Sequence, residues 1–141
     1  MAKEFLDANG SMFLGRGLSF PIALEGALKL KELSYLHAEG YPAGEMKHGP
    51  LALIEEGLPV IVIAPKDKHY EKTLSNMQEV MARGGKILLI TNHKKELLNE
   101  NIRFGIRIPF LDNLLSPILL TIPIQLLAYH VALLKNCDID K

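Results

Sequence analysis

The sequence predicts an α/β protein with a doubly wound, mainly parallel sheet, and three observations carry that expectation. Pro59–Ala64 and Lys86–Thr91 are apolar runs without alternation, as strands covered on both faces require. Segments of helical period separate these runs, which is the order of βαβ units. At 141 residues and 48% hydrophobic, the chain suits one domain with a substantial core.

Met1–Asn9 has no long apolar stretch and is not a signal peptide; it reads as the end of a linker helix, which places the domain at 11–141. Ser11–Leu14 is a short apolar run that meets Gly15-Arg16-Gly17 and then a helix opened by Ser19 and Pro21. Ser19 or Phe20 is the expected N-cap, with Pro21 in the first turn, where its missing N–H costs nothing. A strand passing through glycines into a helix N-terminus points backbone N–H groups outward, so Gly15, Arg16 and Gly17 are candidates to hold an anion such as a phosphate. The plain alternative is a tight strand-to-helix turn, because two glycines around an arginine fall short of a dinucleotide fingerprint.

From Pro21 to about His37 the period is helical. Ile22, Gly26 and Leu33 share one face, Ala23, Ala27 and Leu30 the next, and Leu24, Leu28 and Tyr35 a third. A helix apolar on so many sides is expected to be largely buried. Glu25, Lys29 and Glu32 nonetheless form a narrow charged stripe at i, i+4 and i+7. Surface ion pairs explain such a stripe at a few tenths of a kcal/mol each. A general base beside a cation that binds phosphate or hydroxyl oxygens explains it equally well in chemical terms.

His37–Pro50 shows neither helical nor strand period and is dense in Gly, Pro, Glu and His. A loop of that length inside a compact domain is more often functional than merely connecting, and His48, set between Lys47 and Gly49-Pro50, is a candidate proton shuttle.

The run ALEGALKLKELSYLHAEGYPAGEMKHGPLALI (Ala23–Ile54), with LGRG before it and IPIQLLAYHVALLK (Ile122–Lys135) after it, resembles the second sugar-isomerase (SIS) domain of the glutamine–fructose-6-phosphate aminotransferase family. The resemblance covers nearly the whole chain. It implies a three-layer α/β/α fold of the flavodoxin-like or Rossmann-like kind. It implies Glu32 as the base that moves a proton between C1 and C2 of the sugar, Lys29 as its assistant at the sugar hydroxyls, and His48 as a ring-opening residue donated across a dimer interface. The implied substrate and product are fructose 6-phosphate and glucosamine 6-phosphate, with Gly15, Arg16, Gly17 and Glu25 as candidate contacts. No cofactor and no metal is called for. The family's glutaminase domain, first SIS domain and C-terminal tail with its Schiff-base lysine have no counterpart in these 141 residues. They are expected as partners within a longer, cytoplasmic, homodimeric enzyme, with this domain inactive alone. The alternative is a phosphosugar-binding module that regulates and does no chemistry.

After Pro50–Leu53, a possible helical turn, and the strand 59–64, Lys68–Arg83 reads as an amphipathic helix with Leu74, Met77 and Met81 inward and Gly84-Gly85 as its stop. Asn92–Lys95 reads as a solvated basic turn at a strand's C-terminal end, Glu96–Asn101 as a polar connector, and Ile102–Pro109 as a strand with Ile106 and Ile108 on one face. Leu114–Leu134 is long and apolar enough to span a membrane but carries Pro117, Pro123, Gln125 and His130. It reads as a buried helix begun near Asn113–Pro117 that packs on a partner or missing domain, with His130 a core or interface histidine. Sixteen basic and sixteen acidic residues cancel, so no electrostatic footprint for nucleic acid or an anionic membrane is present. The lone Cys137 excludes an internal disulfide and a cysteine-based metal site, and fits a reducing cytosol.

Overall fold

The computed structural model describes residues 1–95, 99–112 and 114–140. Five strands, β1 (Ser11–Gly15), β2 (Ala38–Pro42), β3 (Pro59–Ile63), β4 (Lys86–Thr91) and β5 (Ile102–Arg107), form one parallel sheet in the order β2-β1-β3-β4-β5. The helices are α1 (Ser19–Ser34), α2 (Tyr70–Met81) and α3 (Ser116–Leu134). The chain steps outward from β1 to β2 and then back past β1 to β3, so its direction of winding reverses between β1 and β3.

Successive strand residues face opposite sides, and here both sides are covered. Phe13, Ile61, Ile63, Leu88 and Ile90 pack under α1, α3 and a 3₁₀ turn at Ala2–Phe5. Met12, Leu14, Val60, Val62, Ile87 and Leu89 pack against α2 and a second 3₁₀ turn at Ala43–His48. This is the physical reason for the unbroken apolar runs, and it makes the three layers. At Gly26 in mid-α1 a Cβ would lie 2.6 Å from the Phe13 ring and 2.7 Å from Ile124 Cγ2, so only glycine lets α1 press onto both the sheet and α3.

Several expectations are corrected. His37–Pro50 contains β2, the 3₁₀ turn Ala43–His48 and little irregular chain, and the expected turn at Pro50–Leu53 follows it. Gly40 and Pro42 disguise the strand, yet β2 is an edge strand, where Pro is tolerated. Gly40 also lies against α1, where a Cβ would be 2.9 Å from Leu24 Cα. Helix α1 is shorter than 21–37: it begins at Ser19 with Leu18 as N-cap, and it ends because Tyr35 adopts the left-handed conformation at φ 57°. It is only half buried, with Leu24, Leu28 and Tyr35 exposed.

Met1–Asn9 holds a short 3₁₀ turn whose Phe5 is fully buried in the core, so this segment is packed into the domain. Helix α2 buries Tyr70, Thr73, Asn76, Met77 and Val80, with Leu74 and Met81 at the margin, and Gly84 turns at φ 84°. The outer face of α3, including Ile118, Ile122, Leu126 and Tyr129, is exposed, and His130 is exposed beside Tyr129. The turn after β4 is bonded where a solvated one was expected: Asn92 Oδ1 accepts the Lys66 N–H at 2.8 Å, and His93 meets the buried Tyr70 hydroxyl at 3.1 Å. Part of the connector at Glu96–Asn101 and the Asn113 start of the last helix lie outside the described residues.

Candidate active site

In a parallel sheet every strand ends at the same edge. Helix α1 starts at that edge, just after β1, and runs back to the opposite one, where β2 begins. At a rise of 1.5 Å per residue, Glu32 lies about 20 Å along the axis from Ser19. The candidate residues therefore fall into two groups that the fold holds apart.

The first group is the charged stripe near the C-terminal end of α1. Lys29 Nζ donates to Glu32 Oε2 at 2.7 Å, and both side chains are substantially open to solvent, at 33% and 48% exposure. The hydrogen bond that Lys29 donates to Glu32 is the main influence holding its ammonium above its ordinary pKa; partial burial opposes it, and the charges of Glu32 and Glu25 add to it. Glu25 is half-buried one turn up the helix. The sequence spacing is thus realised as a carboxylate with a cation hydrogen-bonded beside it, both partly open to solvent. Lys29 stays charged near neutral pH, as a group orienting sugar oxygens must.

The second group sits at the strand-terminal edge. Gly15-Arg16-Gly17 turns from β1 into α1, with Gly17 at φ 57°. The Arg16 guanidinium covers Gly44, where a Cβ would be 2.8 Å from Nη1. That contact places the Ala43–His48 turn at this edge too. His48 is its last residue, exposed, with its Nε2 3.9 Å from Glu45 Oε2. The turn is tied to α2 by the buried Met46, by Lys47 Nζ on Glu79 Oε1 at 2.9 Å, and by the Asn76 amide, which in its donating orientation lies 3.1 Å from Ala43 O. Sequence reasoning missed Asn76 and Glu79, because on an amphipathic helix both read as ordinary surface polar residues.

The structure thus joins Lys29 to Glu32 and joins Arg16 to the His48 turn, but it does not bring His48 or Gly15–Gly17 to Glu32 of the same chain. A third cluster, His37, Glu39 and Tyr41, lies along β2: His37 Nε2 is 3.3 Å from Glu39 Oε1, and the Tyr41 hydroxyl donates to Glu39 Oε2. That hydrogen bond raises the Tyr41 pKa, with burial and the Glu39 charge adding to it.

Residues 4–135 match the SIS domain family. The chain belongs to that family. It is 54% identical over its whole length to a glutamine–fructose-6-phosphate aminotransferase (isomerizing) of Bartonella henselae, covering 23% of that protein. It is 58% identical over 92% of its length to the enzyme of the same name in Agrobacterium fabrum, covering 22% of it. Among solved structures, the C-terminal domain of glucosamine–fructose-6-phosphate aminotransferase from Francisella tularensis superposes with a TM-score of 0.94 at 49% identity, over 99% of this chain and 40% of that one. A glucosamine-6-phosphate deaminase from Thermotoga maritima follows the same fold at 28% identity and a TM-score of 0.73, over 99% of this chain and 39% of that one. The chain therefore spans about a quarter of the length of the aminotransferases that it matches by sequence.

Proposed function

We propose that this SIS domain supplies the proton-transferring half of a sugar-phosphate isomerase site, in a protein that makes glucosamine 6-phosphate from fructose 6-phosphate and glutamine. The observation that carries this reading is the Lys29–Glu32 couple, held at 2.7 Å with both side chains partly open to solvent. The similarity to the isomerizing aminotransferases supports the choice of reaction.

A ketose becomes an aldose when one proton leaves C1, the neighbouring carbon gains one, and a hydroxyl proton moves between the two oxygens. One carboxylate poised over both carbons suffices for the carbon steps: Glu32 takes the C1 proton and returns it at C2. Lys29, already oriented by Glu32, holds the sugar oxygens with fixed positive charge. His48 assists ring opening. Its own chain holds it at the sheet edge opposite Glu32, so the His48 that serves a given Glu32 comes from a second subunit of a cytoplasmic homodimer.

Glu32→Gln keeps size and polarity but cannot take up a proton. In the full-length protein it should lower isomerisation by roughly 10²- to 10⁴-fold, the usual worth of a positioned base, while glutamine hydrolysis stays normal. Near-normal isomerisation would remove Glu32 as the base and leave phosphosugar binding without chemistry as the better reading.

A further inference from the structure

The His48 imidazole is largely exposed, and the 3.9 Å between its Nε2 and Glu45 Oε2 is longer than a hydrogen bond. Its aim is therefore set by the backbone that carries it. The two sides of that backbone differ. After His48 comes Gly49 at φ 140° and ψ −55°, a conformation that side-chain-bearing residues rarely adopt. A Cβ at Gly49 would meet nothing within 4 Å, so glycine is required there by the backbone and not by space. It is a swivel with no side chain to pack.

Before His48 the holds come from α2. The Asn76 amide, in its donating orientation, lies 3.1 Å from Ala43 O at the start of the turn. Met46 is fully buried in the core layer that α2 covers. Lys47, the residue next to the histidine, meets Glu79 Oε1 at 2.9 Å. Asn76 and Glu79 stand three residues apart, on one face of α2. Glu79 is an unusual anchor. Its side chain is 24% exposed, and its Oε2 is buried with no hydrogen-bond partner among the described residues. An unpaired buried oxygen costs free energy, and a pair with the mostly exposed Lys47 returns little of it. A carboxylate placed for stability alone would keep its second oxygen in water.

We infer that Glu79 is a positioning residue for His48: it pins Lys47, and through Lys47 it fixes the stretch of turn that presents the imidazole to a second subunit. This rests on the ring-opening role proposed for His48. Glu79 touches no substrate and takes no proton. With the Lys47–Glu79 pair broken, the last hold before the Gly49 swivel is Met46, and the imidazole sweeps a wider arc.

The test compares Glu79→Leu, Lys47→Met and the double variant. Backbone ¹⁵N relaxation of the chain should show the order parameters at Lys47–Gly49 falling in all three, from about 0.85 towards about 0.6, while the urea midpoint of Glu79→Leu is no lower than that of the unaltered chain. In the full-length protein each variant should slow a cyclic substrate about ten- to a hundredfold, the cost of a misplacement of up to about 1 Å, and an open-chain analogue far less. The double variant should be no slower than either single one, because the two side chains act as a unit. Unchanged order at Lys47–Gly49 in Glu79→Leu overturns the inference, and so do additive losses in the double variant. Equal losses on both substrates overturn it too where His48→Ala, measured alongside, discriminates between them. If His48→Ala also shows equal losses, the ring-opening reading has failed, and the relaxation data decide the role of Glu79 by themselves.

Discussion

The two ends of α1 are built in opposite ways. At the N-terminal end Gly17–Ser19, the loop after β3 and Ser116 of α3 line a cavity of about 430 Å³. At the C-terminal end the Lys29 and Glu32 side chains are partly open to solvent, and neither lines a cavity described above. A reacting sugar must be shielded from water and gripped from several sides, which side chains this open to solvent do not do alone. The contrast teaches that the candidate catalytic residues stand at the more open end of α1, where the proposed site draws on a partner subunit.

The middle of α1 couples the two ends, and breaking it should have the largest effect on stability. Gly26→Val drives new methyl groups into Phe13 and Ile124 and should cost about 3 kcal/mol, seen as a lower urea midpoint. An unchanged midpoint would mean that the helix can move off the sheet at little cost. Next, His48→Ala in the full-length protein should slow a cyclic substrate about a hundredfold, or about 2.7 kcal/mol, and an open-chain analogue far less. Equal losses on both would detach His48 from ring opening.

Away from α1, Glu4 gives a smaller, pH-dependent effect. Burial pushes its carboxyl up, but the hydrogen bonds and charges of Arg103 and Lys86 outweigh this and hold it below the ordinary value. Its stabilisation is therefore present above the ordinary glutamate pKa and lost as the pH falls through the lower folded value. Glu4→Gln should lower stability by about 1 kcal/mol at pH 7, with the gap closing in acid melts. A gap independent of pH would rule out the charge as its source. The smallest change expected is in the stability of Glu32→Gln, within about 0.5 kcal/mol, because an exposed pair contributes little to folding. A large loss there would mean that the carboxylate is structural.

Much of this was legible in the sequence. The buried strands announced themselves because β3 and β4 pack on both faces. The Glu25-Lys29-Glu32 stripe followed from helical spacing alone, since its geometry is local. Strand β2 was hidden because its Gly40 and Pro42 serve the close approach of α1 and the free edge, both tertiary demands that override strand preference. The half-burial of α1 was misjudged because an apolar helix face at the surface looks in sequence like one facing a core. The Gly15-Arg16-Gly17 turn was visible in the sequence, but only the direction of α1 in the fold showed that it lies about 20 Å along the helix axis from Glu32.

The most direct measurement mixes two inactive chains. Full-length Glu32→Gln and His48→Ala proteins, dissociated and reassembled together, form dimers in which one site holds an intact Glu32 from one subunit and an intact His48 from the other. If the site is shared between subunits, the mixture should recover about a quarter of wild-type isomerisation, from half-active mixed dimers making up half of a statistical assembly. If recovery stays at the level of the separate mutants although mixed dimers have formed, Glu32 and His48 act within one chain, and the separation of the two ends of α1 is not the basis of the site.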